Sequence, residues 1–589
     1  MILQALTKLY KDLQDNGKID KPGWSKVRIG AMLCIDQEGR LQQIVPTVVM
    51  DGKKEIQQEF RMPAPVGKTS GIKSNFLWEN SGYILGISQS IFLQNTEKDE
   101  KKKEKYKKTV QKDIERFIEC KRLHKEILES AEGTVAKAIL GFFDSWSPEE
   151  AMKQPLIVEH WNDITNGKNI SFRVNDTYAF DDSEVCSRWD QYYALEKELP
   201  RSTCLITGEG DVICPTHPPI KGVFGAQSSG AALVSFNNPS FNSYGKEQNY
   251  NAPIGKSAAF AYTSALNYLL ADRSNVKRIG DATVVCWVEG AEPQYQAFTL
   301  AALFGDDKPS ISPADIQNAV HRLAQGLPVE DLQLDPSKTF YILGLSPNAG
   351  RISVRFFYRN SFGKLMKNVN DHNTRLEIVG AEKSPLQILP LWALMRETRN
   401  LKLKEDSNYI LTGAVTRAIL NGARYPDALI EQVMVRIKAE RSINRTKAAI
   451  IKAFYLKNKN VGCPKEVLTV ALNEESTNCA YTLGRMFSIL EQIQSVANPG
   501  INATIKDKYF GSAAASPATI FPLLNNLCQK HLRKIKSDSM RIYLEKQLIA
   551  LSTILSDAYP ARLTLAEQGS FYLGYYHQTQ KRYEKKEEK

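Results

Sequence analysis

Hydrophobic positions recur with two different periods along this chain, and the change of period divides it into two parts. Up to about residue 375, strand-like runs alternate with helix-like runs. The run ATVVCWVEG is typical of a buried strand, and TFYILGLSPNAGRISVRFFYRN of a hairpin that turns at Pro-Asn-Ala-Gly. Beyond residue 375 the apolar spacing is helical throughout. The pattern therefore predicts an α+β fold, with a mixed N-terminal α/β region followed by an all-α C-terminal helical bundle.

The same pattern predicts three segments. An α+β region covers 1–375, a basic helical connector covers 376–462, and a four-helix bundle covers 463–589. A Gly/Pro break at Gly462 and Pro464 separates the connector from the bundle. Amphipathic runs predict the bundle helices at 477–497, 516–536, 538–557 and 563–583. Short connections between such helices favour antiparallel packing.

Composition narrows the class of protein. The 589 residues contain no apolar run of the ~20 residues that a bilayer requires, and the N-terminal helix carries mixed charge, unlike a signal peptide. We therefore expect a soluble cytoplasmic protein. Lys and Arg outnumber Asp and Glu by 77 to 65, and the net charge of +12 suggests a polyanionic partner.

The cysteines do not form a recognisable framework. There are nine, scattered and odd in number, which is typical of reduced thiols. The nearest approach to a metal cluster is formed by Cys204, Cys214 and His217, which lack paired spacing and a fourth ligand. We therefore predict no metal site.

One acidic cluster is a candidate for catalysis. Asp181, Asp182 and Glu184 could hold Mg²⁺, but they also stand where a helix begins, and carboxylates there favour the helix dipole. Capping is the preferred interpretation, so we predict no catalytic residue and no cofactor. A divergent metal-dependent nuclease built on these three carboxylates stays open as an alternative.

Two stretches combine amides, small residues, lysines and aromatic rings. They are KTSGIKSNFLWENSGYILGI at 68–87 and IKGVFGAQSSGAALVSFNNPSFNSYGKEQNYNAP at 220–253. Amides and lysines reach base edges and phosphates, and rings stack on bases or wedge between them. The candidate DNA contacts are Lys68, Ser70, Lys73, Asn75, Phe76, Trp78, Gln227, Ser228, Asn237 and Asn238. The alternative for both stretches is an ordered loop pinned by its own aromatics.

Two basic sets are candidates for contacts to the nucleic-acid backbone. Arg351 and Arg355 lie on the second strand of the predicted hairpin, where the pleat places them on one face. A helical stripe at offsets of 3, 4 and 7 comprises Lys438, Arg441, Arg445 and Lys452. An exposed sheet face and a solvated helix face are the respective alternatives.

In four blocks the chain resembles the large subunit of the type I-C CRISPR surveillance complex, Cascade. The blocks are MILQAL, KTSGIKSNFLWENSGYILG, IKGVFGAQSSGAALVSFNNPSFNSYGKEQNYNAP and FYILGLSPNAGRISVRFF. Their order and spacing extend the resemblance over nearly the whole chain.

The resemblance implies a non-catalytic subunit of an RNA-guided antiviral machine. Such a subunit reads the short protospacer-adjacent motif (PAM) in duplex DNA, helps open the duplex and stabilises the R-loop, while base pairing reads the sequence. The implied partners are guide RNA and target double-stranded DNA, the backbone and 5′-handle-binding Cascade subunits, small subunits, and a helicase–nuclease recruited after target binding. An RNA-binding scaffold without DNA discrimination is the third hypothesis, beside the nuclease.

The resemblance also implies that residues 463–589 correspond to a separate small subunit made by internal translation initiation. The first methionine in the predicted bundle, Met486, stands in the middle of a predicted helix. Starting there would remove part of the helix face that closes the core. We therefore predict a non-ATG start near Val467 or Leu468.

Overall fold

The structure, a computed structural model, confirms the α+β class and divides into two compact units. It describes residues 1–51, 54–66, 71–194, 200–273, 276–305, 312–380, 389–400, 409–555 and 558–583. The N-terminal unit consists of Tyr10–His217 and Phe236–Ser264. The C-terminal unit consists of Met1–Leu9, Pro218–Ser235 and Ala265–Lys589. The unit boundaries therefore fall inside the first helix and inside the segment 220–253.

The elements up to residue 271 include ten short strands. The strands are β1 Trp24–Ile29, β2 Ala31–Ile35, β3 Leu41–Pro46, β4 Val48–Asp51, β5 Lys54–Pro63, β6 Trp78–Asn80, β7 Asn169–Val174, β8 Thr177–Tyr178, β9 Arg201–Thr203 and β10 Gly210–Val212. The helices are α1 Ile2–Asp15, α2 Ser81–Ile84, α3 Ser90–Thr96, α4 Glu100–Leu128, α5 Thr134–Ser145, α6 Pro155–Glu159, α7 Trp161–Thr165, α8 Ser183–Ala194 and α9 Lys256–Ala271.

Two sheets organise the N-terminal unit. One has the order β3-β2-β7-β6, with β8 paired to β7, and its central pair β2 and β7 is parallel. The other is antiparallel with the order β1-β5-β4. The core contains the rings of Phe76, Phe142, Phe172 and Trp189 and buries one face of α4 and α5. Helix α4 is long and charged, and its lysine-rich first half is mostly exposed.

The C-terminal unit contains one sheet and a series of helices. Its strands are β11 Lys277–Ile279, β12 Ala282–Val288, β13 Thr339–Asn348 and β14 Arg351–Ser361. Its helices are α10 Pro293–Phe304, α11 Pro313–Ala324, α12 Phe362–Leu376, α13 Leu391–Arg396, α14 Tyr409–Asn421, α15 Asp427–Glu440, α16 Arg445–Asn458, α17 Cys479–Ala497, α18 Ile505–Ala515, α19 Pro517–Leu532, α20 Asp538–Ser552 and α21 Leu565–Lys581.

The sheet order β11-β12-β13-β14 is antiparallel throughout, and the β13–β14 hairpin is as predicted. One hydrophobic cluster runs through this unit from Ile279 to Tyr576. It joins residues of all three predicted segments, and the predicted boundaries at 375 and 462 lie within it. No strand follows β14 in the described ranges. None of the helices in those ranges has the length and apolar character needed to cross a membrane.

The predicted bundle contains one helix more than the pattern indicated, since α18 lies between the first and second predicted helices. The bundle also packs on the connector. The Ser570 hydroxyl donates to the Gly462 carbonyl at 2.8 Å, and the Tyr576 hydroxyl donates to the Val379 carbonyl at 2.6 Å. At Gly569 an added Cβ would lie 2.9 Å from the ring of Tyr455 on α16. The inner face of α21 is therefore covered partly by residues that precede the bundle.

Candidate nucleic-acid interface

The first polar and aromatic stretch is mostly buried. Asn75 is 3% exposed, and its amide nitrogen donates to Glu79 Oε1 at 2.8 Å while its amide oxygen accepts from Val66 N at 2.9 Å. Phe76 and Trp78 are also buried. The placement agrees with the alternative interpretation, an ordered segment pinned by its own rings. It corrects the surface position that we expected for these three side chains.

Distant parts of the chain explain this burial. Phe76 stacks on Trp189 of α8 at a centroid distance of 5.5 Å, and the Trp78 indole donates to the Pro63 carbonyl at 2.8 Å. Between them Leu77 takes a left-handed backbone with φ of 65°, and its N–H donates to Nε2 of His124 at 3.0 Å. Burial lowers the pKa of His124 to about 4. The imidazole is therefore neutral and accepts at Nε2, while Nδ1 lies 2.8 Å from the Cys120 carbonyl.

The remaining candidates of this stretch differ in position. Lys73 is exposed, so its ammonium group stays available to a phosphate. Lys68 and Ser70 lie outside the described residues. Of the predicted contacts here, Lys73 is the one whose described surroundings leave room for DNA.

Gln227 and Ser228 lie at a turn of the C-terminal unit. Hydrogen bonds in both directions between Ile220 and Ala231, at 3.0 and 2.9 Å, close the loop. Its tip turns where Gly230 N donates to the Gln227 carbonyl at 3.0 Å. Both predicted side chains are exposed, and no described group hydrogen-bonds to either of them. The Gln227 side-chain amide is therefore available to hydrogen-bond a base edge, and the loop that presents it is ordered by its own backbone hydrogen bonds.

Asn237 and Asn238 lie in the N-terminal unit and are exposed. Asn238 Oδ1 accepts from Ser240 N at 3.0 Å and caps the short 3₁₀ turn Pro239–Phe241. The carbonyl of this amide is therefore engaged in holding the loop. The turn that follows Asn-Asn-Pro therefore lies on the surface.

The most exposed aromatic of the loop is Tyr244, which sequence reasoning did not single out. Its side chain is 98% exposed. It stands in a tight turn closed by Lys246 N donating to the Ser243 carbonyl at 3.0 Å, with φ of 52° at Tyr244 and 68° at Gly245. Both positive values define a type I′ turn, whose first central position favours Asn, Asp or Gly. A bulky residue there is strained.

A single amide braces this turn. Asn251 Oδ1 accepts from Ser243 N at 2.9 Å, and its Nδ2 donates to the carbonyls of Lys246 and Gln248 at 3.0 and 2.9 Å. The loop is therefore ordered by its own polar groups while its ring stays in solvent. A strained residue persists where its surroundings over-determine it, and such residues cluster at functional positions. The signal in the sequence is SYGK, an aromatic residue at a turn position that favours Asn or Gly.

The two hairpin arginines do not share a face as predicted. The register pairs Leu345 with Val354 and Gly344 with Phe356, so Arg355 is an extra residue in a β-bulge. The bulge interrupts the two-residue alternation that would relate Arg355 to Arg351. Arg355 also forms an ion pair with Asp281.

The predicted basic stripe is divided between two helices. Helix α15 ends at Arg441, which has φ of 53°, and Asn444 caps the start of α16 by accepting from Lys447 N at 2.8 Å. The 3.6-residue period therefore does not run through this turn. Lys438 and Arg441 are exposed, and Arg445 is half-buried.

Lys452, the last member of the stripe, faces the interior. It is 3% exposed, and its Nζ donates to the Arg375 carbonyl at 3.2 Å. Burial lowers its pKa. This lysine is therefore a buried structural donor, and the stripe is corrected to the exposed pair Lys438 and Arg441.

The acidic cluster caps two helices. Asp182 Oδ1 accepts from Val185 N at 2.9 Å at the start of α8. Glu184 accepts from Glu132 N at 3.0 Å and Gly133 N at 2.6 Å, ahead of α5. Among the described residues, no three His, Cys, Asp or Glu side chains are grouped as metal ligands.

The cysteines and His217 have ordinary structural surroundings. Each of the nine cysteines is a free thiol. His217 Nδ1 is hydrogen-bonded to the Tyr262 hydroxyl at 2.8 Å, and burial lowers the pKa of this histidine to about 4. A neutral, hydrogen-bonded imidazole packed on a tyrosine fits a core position.

Comparison with known proteins identifies one family. The family model described as CRISPR-associated protein (Cas_Csd1) matches residues 6–583. No curated protein matches the chain. The match includes both polar loops, the β13–β14 hairpin and the helical C-terminal region.

Proposed function

The chain belongs to the family of CRISPR-associated proteins of the Csd1 type, and from this premise we propose that it is the non-catalytic large subunit of a type I-C Cascade complex. In that role it recognises the PAM in duplex DNA, helps open the duplex and stabilises the R-loop. The observation that carries the proposal is the braced, solvent-exposed loop 236–253 with Tyr244 at its tip.

The exposed amides provide the chemistry for reading bases. Asn and Gln side chains pair with adenine in the major groove, and amides also reach the minor-groove acceptors. Gln227, Asn237 and Asn238 are all exposed on ordered loops. Lys73 and Lys246 are exposed and supply positive charge for phosphates, and Lys246 follows Asn237 and Asn238 by eight to nine residues in the sequence.

Tyr244 provides the chemistry for opening. A ring that projects from a rigid turn stacks on a base at the end of a duplex, which offsets part of the cost of unstacking a step. Because Asn251 already holds the turn, the loop loses little conformational entropy on binding. A braced ring is therefore better suited to wedging than a flexible one.

The partners in this proposal are guide RNA, target DNA, the other Cascade subunits and the recruited helicase–nuclease. In this proposal the subunit itself performs no chemistry, and the engagement of Asp182 and Glu184 with backbone N–H groups at helix N-termini supports a structural role for them. Cleavage belongs to the recruited enzyme.

The experiment follows duplex opening in an assembled, guided complex. A 2-aminopurine base placed beside the PAM reports unstacking by its fluorescence. Tyr244→Asn removes the ring and introduces a residue that the turn favours. Tyr244→Phe keeps the ring. We expect Tyr244→Asn to weaken PAM-duplex binding roughly 5- to 150-fold, as the loss of one stacking contact implies, and to suppress opening.

The matched control is Tyr583→Ala, which removes a tyrosine that is 74% exposed at the end of α21. It should leave binding and opening unchanged, and so should Tyr244→Phe. Unchanged opening by the Tyr244→Asn complex would show that the tip of the loop does not act as a wedge.

We further propose that the C-terminal bundle is also made as a separate small subunit from a start near Val467 or Leu468. Such a fragment contains α17 to α21 but lacks the α16 surface that covers Gly569. It would expose that face of α21 unless another subunit covers it. Intact-mass measurement of a complex expressed from the native gene should find this fragment, and finding the full-length chain alone would contradict the proposal.

A further inference from the structure

The C-terminal unit contains a basic cavity that none of the predicted sites includes. Its volume is about 530 Å³, within the range of small-ligand pockets. Four of its lining residues are cations, contributed by β11 and by the helix α13 with its following turn: Lys277, Arg278, Arg396 and Arg399. No described lining residue is acidic. Trp392 completes the polar side of the cavity and is 52% exposed.

The arrangement follows from helical spacing. Trp392 and Arg396 stand at i and i+4 on one face of α13, and Arg399 lies in the turn after the helix and lines the same cavity. Leu394 of this segment packs in the core, whereas the buried side chains of Leu391 and Met395 belong to the core cluster and also line the cavity. The core therefore fixes which face the aromatic and basic residues present.

Within the described ranges, three of these cations are not neutralised by neighbouring acids. None of the described carboxylates forms an ion pair with Lys277, Arg396 or Arg399. Glu397, which lies between the two arginines in sequence, instead pairs with Lys447 Nζ at 3.2 Å. Grouping uncompensated like charges is unfavourable without a counter-ion, so the cavity favours an anion.

The indole has space beside it. Gly305, with φ of 70°, lines the same cavity, and a Cβ there would lie 3.8 Å from Trp392 Nε1. An open indole beside several cations is the combination that binds a flat base and its phosphates.

We propose that this cavity binds a nucleotide of a single-stranded nucleic acid, with the base stacked on Trp392 and the backbone phosphates paired with Arg396 and Arg399. The inference rests on the proposed function for the nature of the partner and assigns it a second site, away from the PAM loops in sequence. An acidic protein segment would use the same charges but would not need the exposed indole. The geometry therefore favours a strand over a peptide.

The test measures binding of fluorescent oligonucleotides to the purified full-length chain by anisotropy, over a range of salt concentrations. The probes are oligothymidine and oligouridine of about 12 nucleotides, within the usual size of such sites. A preference between them would identify the bound strand as DNA or RNA. Poly-glutamate serves as the probe for a protein partner.

Variants of Trp392 and of the two arginines distinguish the contribution of base stacking from that of phosphate pairing. Trp392→Ala should weaken oligonucleotide binding roughly 5- to 150-fold, and Trp392→Phe should retain most of it, because the ring stacks. The double variant Arg396→Gln with Arg399→Gln should reduce the slope of log K against log salt by roughly 1.4, about 0.7 for each phosphate. The double variant Arg533→Gln with Arg562→Gln removes two exposed arginines outside the cavity and controls for net charge.

The inference is overturned if Trp392→Ala and the Arg396/Arg399 variant both bind like the unmodified chain. It is equally overturned if no oligonucleotide binds, or if poly-glutamate binds as well and Trp392→Ala has no effect. Variants of Gln227 and Asn237 test PAM preference in the assembled complex. Their result does not affect binding of oligonucleotides to the Trp392 cavity. The two proposals therefore fail separately.

Discussion

The close contact between α17 and α21 gives a sharp test of how the bundle is held. Gly484 and Gly574 each lie against the backbone of the opposite helix. A Cβ at Gly574 would overlap the Tyr481 carbonyl oxygen and lie 2.9 Å from its carbonyl carbon, and one at Gly484 would lie 2.8 Å from the Phe571 carbonyl carbon. Carbon–carbon contacts are favourable at about 3.5 Å or more, so Gly574→Ala forces the helices apart by at least about 0.6 Å.

Separating the helices also strains the hydrogen bonds that cross the contact. The Tyr481 hydroxyl lies 2.9 Å from His577 Nδ1, and Arg485 Nε donates to Gln578 Oε1 at 3.1 Å. Overpacking costs about 1–3 kcal/mol, and each weakened hydrogen bond adds up to about 1 kcal/mol. We expect Gly574→Ala to lower the free energy of unfolding by about 1–5 kcal/mol.

The assay is thermal unfolding of the purified full-length chain. At about 2 °C per kcal/mol for a large domain, the midpoint should fall by about 2–10 °C. The control is Gly413→Ala in α14, where nothing lies within 4 Å of the added Cβ. Alanine there should stabilise the chain by about 0.5–1 kcal/mol. A midpoint that rises in both variants would refute the close-contact argument.

Three further predictions concern His124, Asn75 and the two lysines Lys438 and Lys452. Because burial lowers the pKa of His124 from 6.5 to about 4, the unfolded chain binds the extra proton, and stability present above pH 6.5 is lost as the pH falls toward 4. Between pH 7 and pH 5 the unmodified chain should lose about 2 kcal/mol of its free energy of unfolding through this histidine, and His124→Gln should not show that loss. Denaturant titration at both pH values measures the difference. Asn75→Ala removes the hydrogen bonds to Glu79 Oε1 and Val66 N and should lower stability by about 1–3 kcal/mol, seen as a lower melting temperature of the free chain. Lys438→Gln should reduce the salt slope of DNA binding by about 0.7–0.9, whereas Lys452→Gln should lower the melting temperature of the free chain.

The elements that the sequence predicted well are those whose pattern is local. The β13–β14 hairpin and the bundle helices α17 and α21 follow from a regular period over ten or more residues. Helix α18 was missed because its apolar residues are few and end in a run of alanines, and its burial depends on α17, α19 and α21. Periodicity cannot predict a helix whose packing partners are distant in sequence.

The candidate site was predicted in part, for a similar reason. The amides of the second polar stretch are exposed because their loops are closed by local hydrogen bonds. Asn75 and Trp78 looked like surface residues because composition does not reveal that Glu79 and Pro63 satisfy their polar groups. The Trp392 cavity was also missed, although its i, i+4 and i+7 spacing is visible in LWALMRETR.

The central claim is that this chain reads the PAM, and one ratio tests it most directly. The affinity of a guided complex for a PAM-containing duplex is divided by its affinity for the same duplex with a scrambled PAM. The comparison is between the unmodified complex and one that carries Gln227→Ala, Asn237→Ala and Asn238→Ala, with assembly checked by mass. Each lost base contact is worth about 1–3 kcal/mol of discrimination, so the ratio should fall at least about tenfold in the triple variant. An unchanged ratio in a fully assembled triple variant would contradict the account.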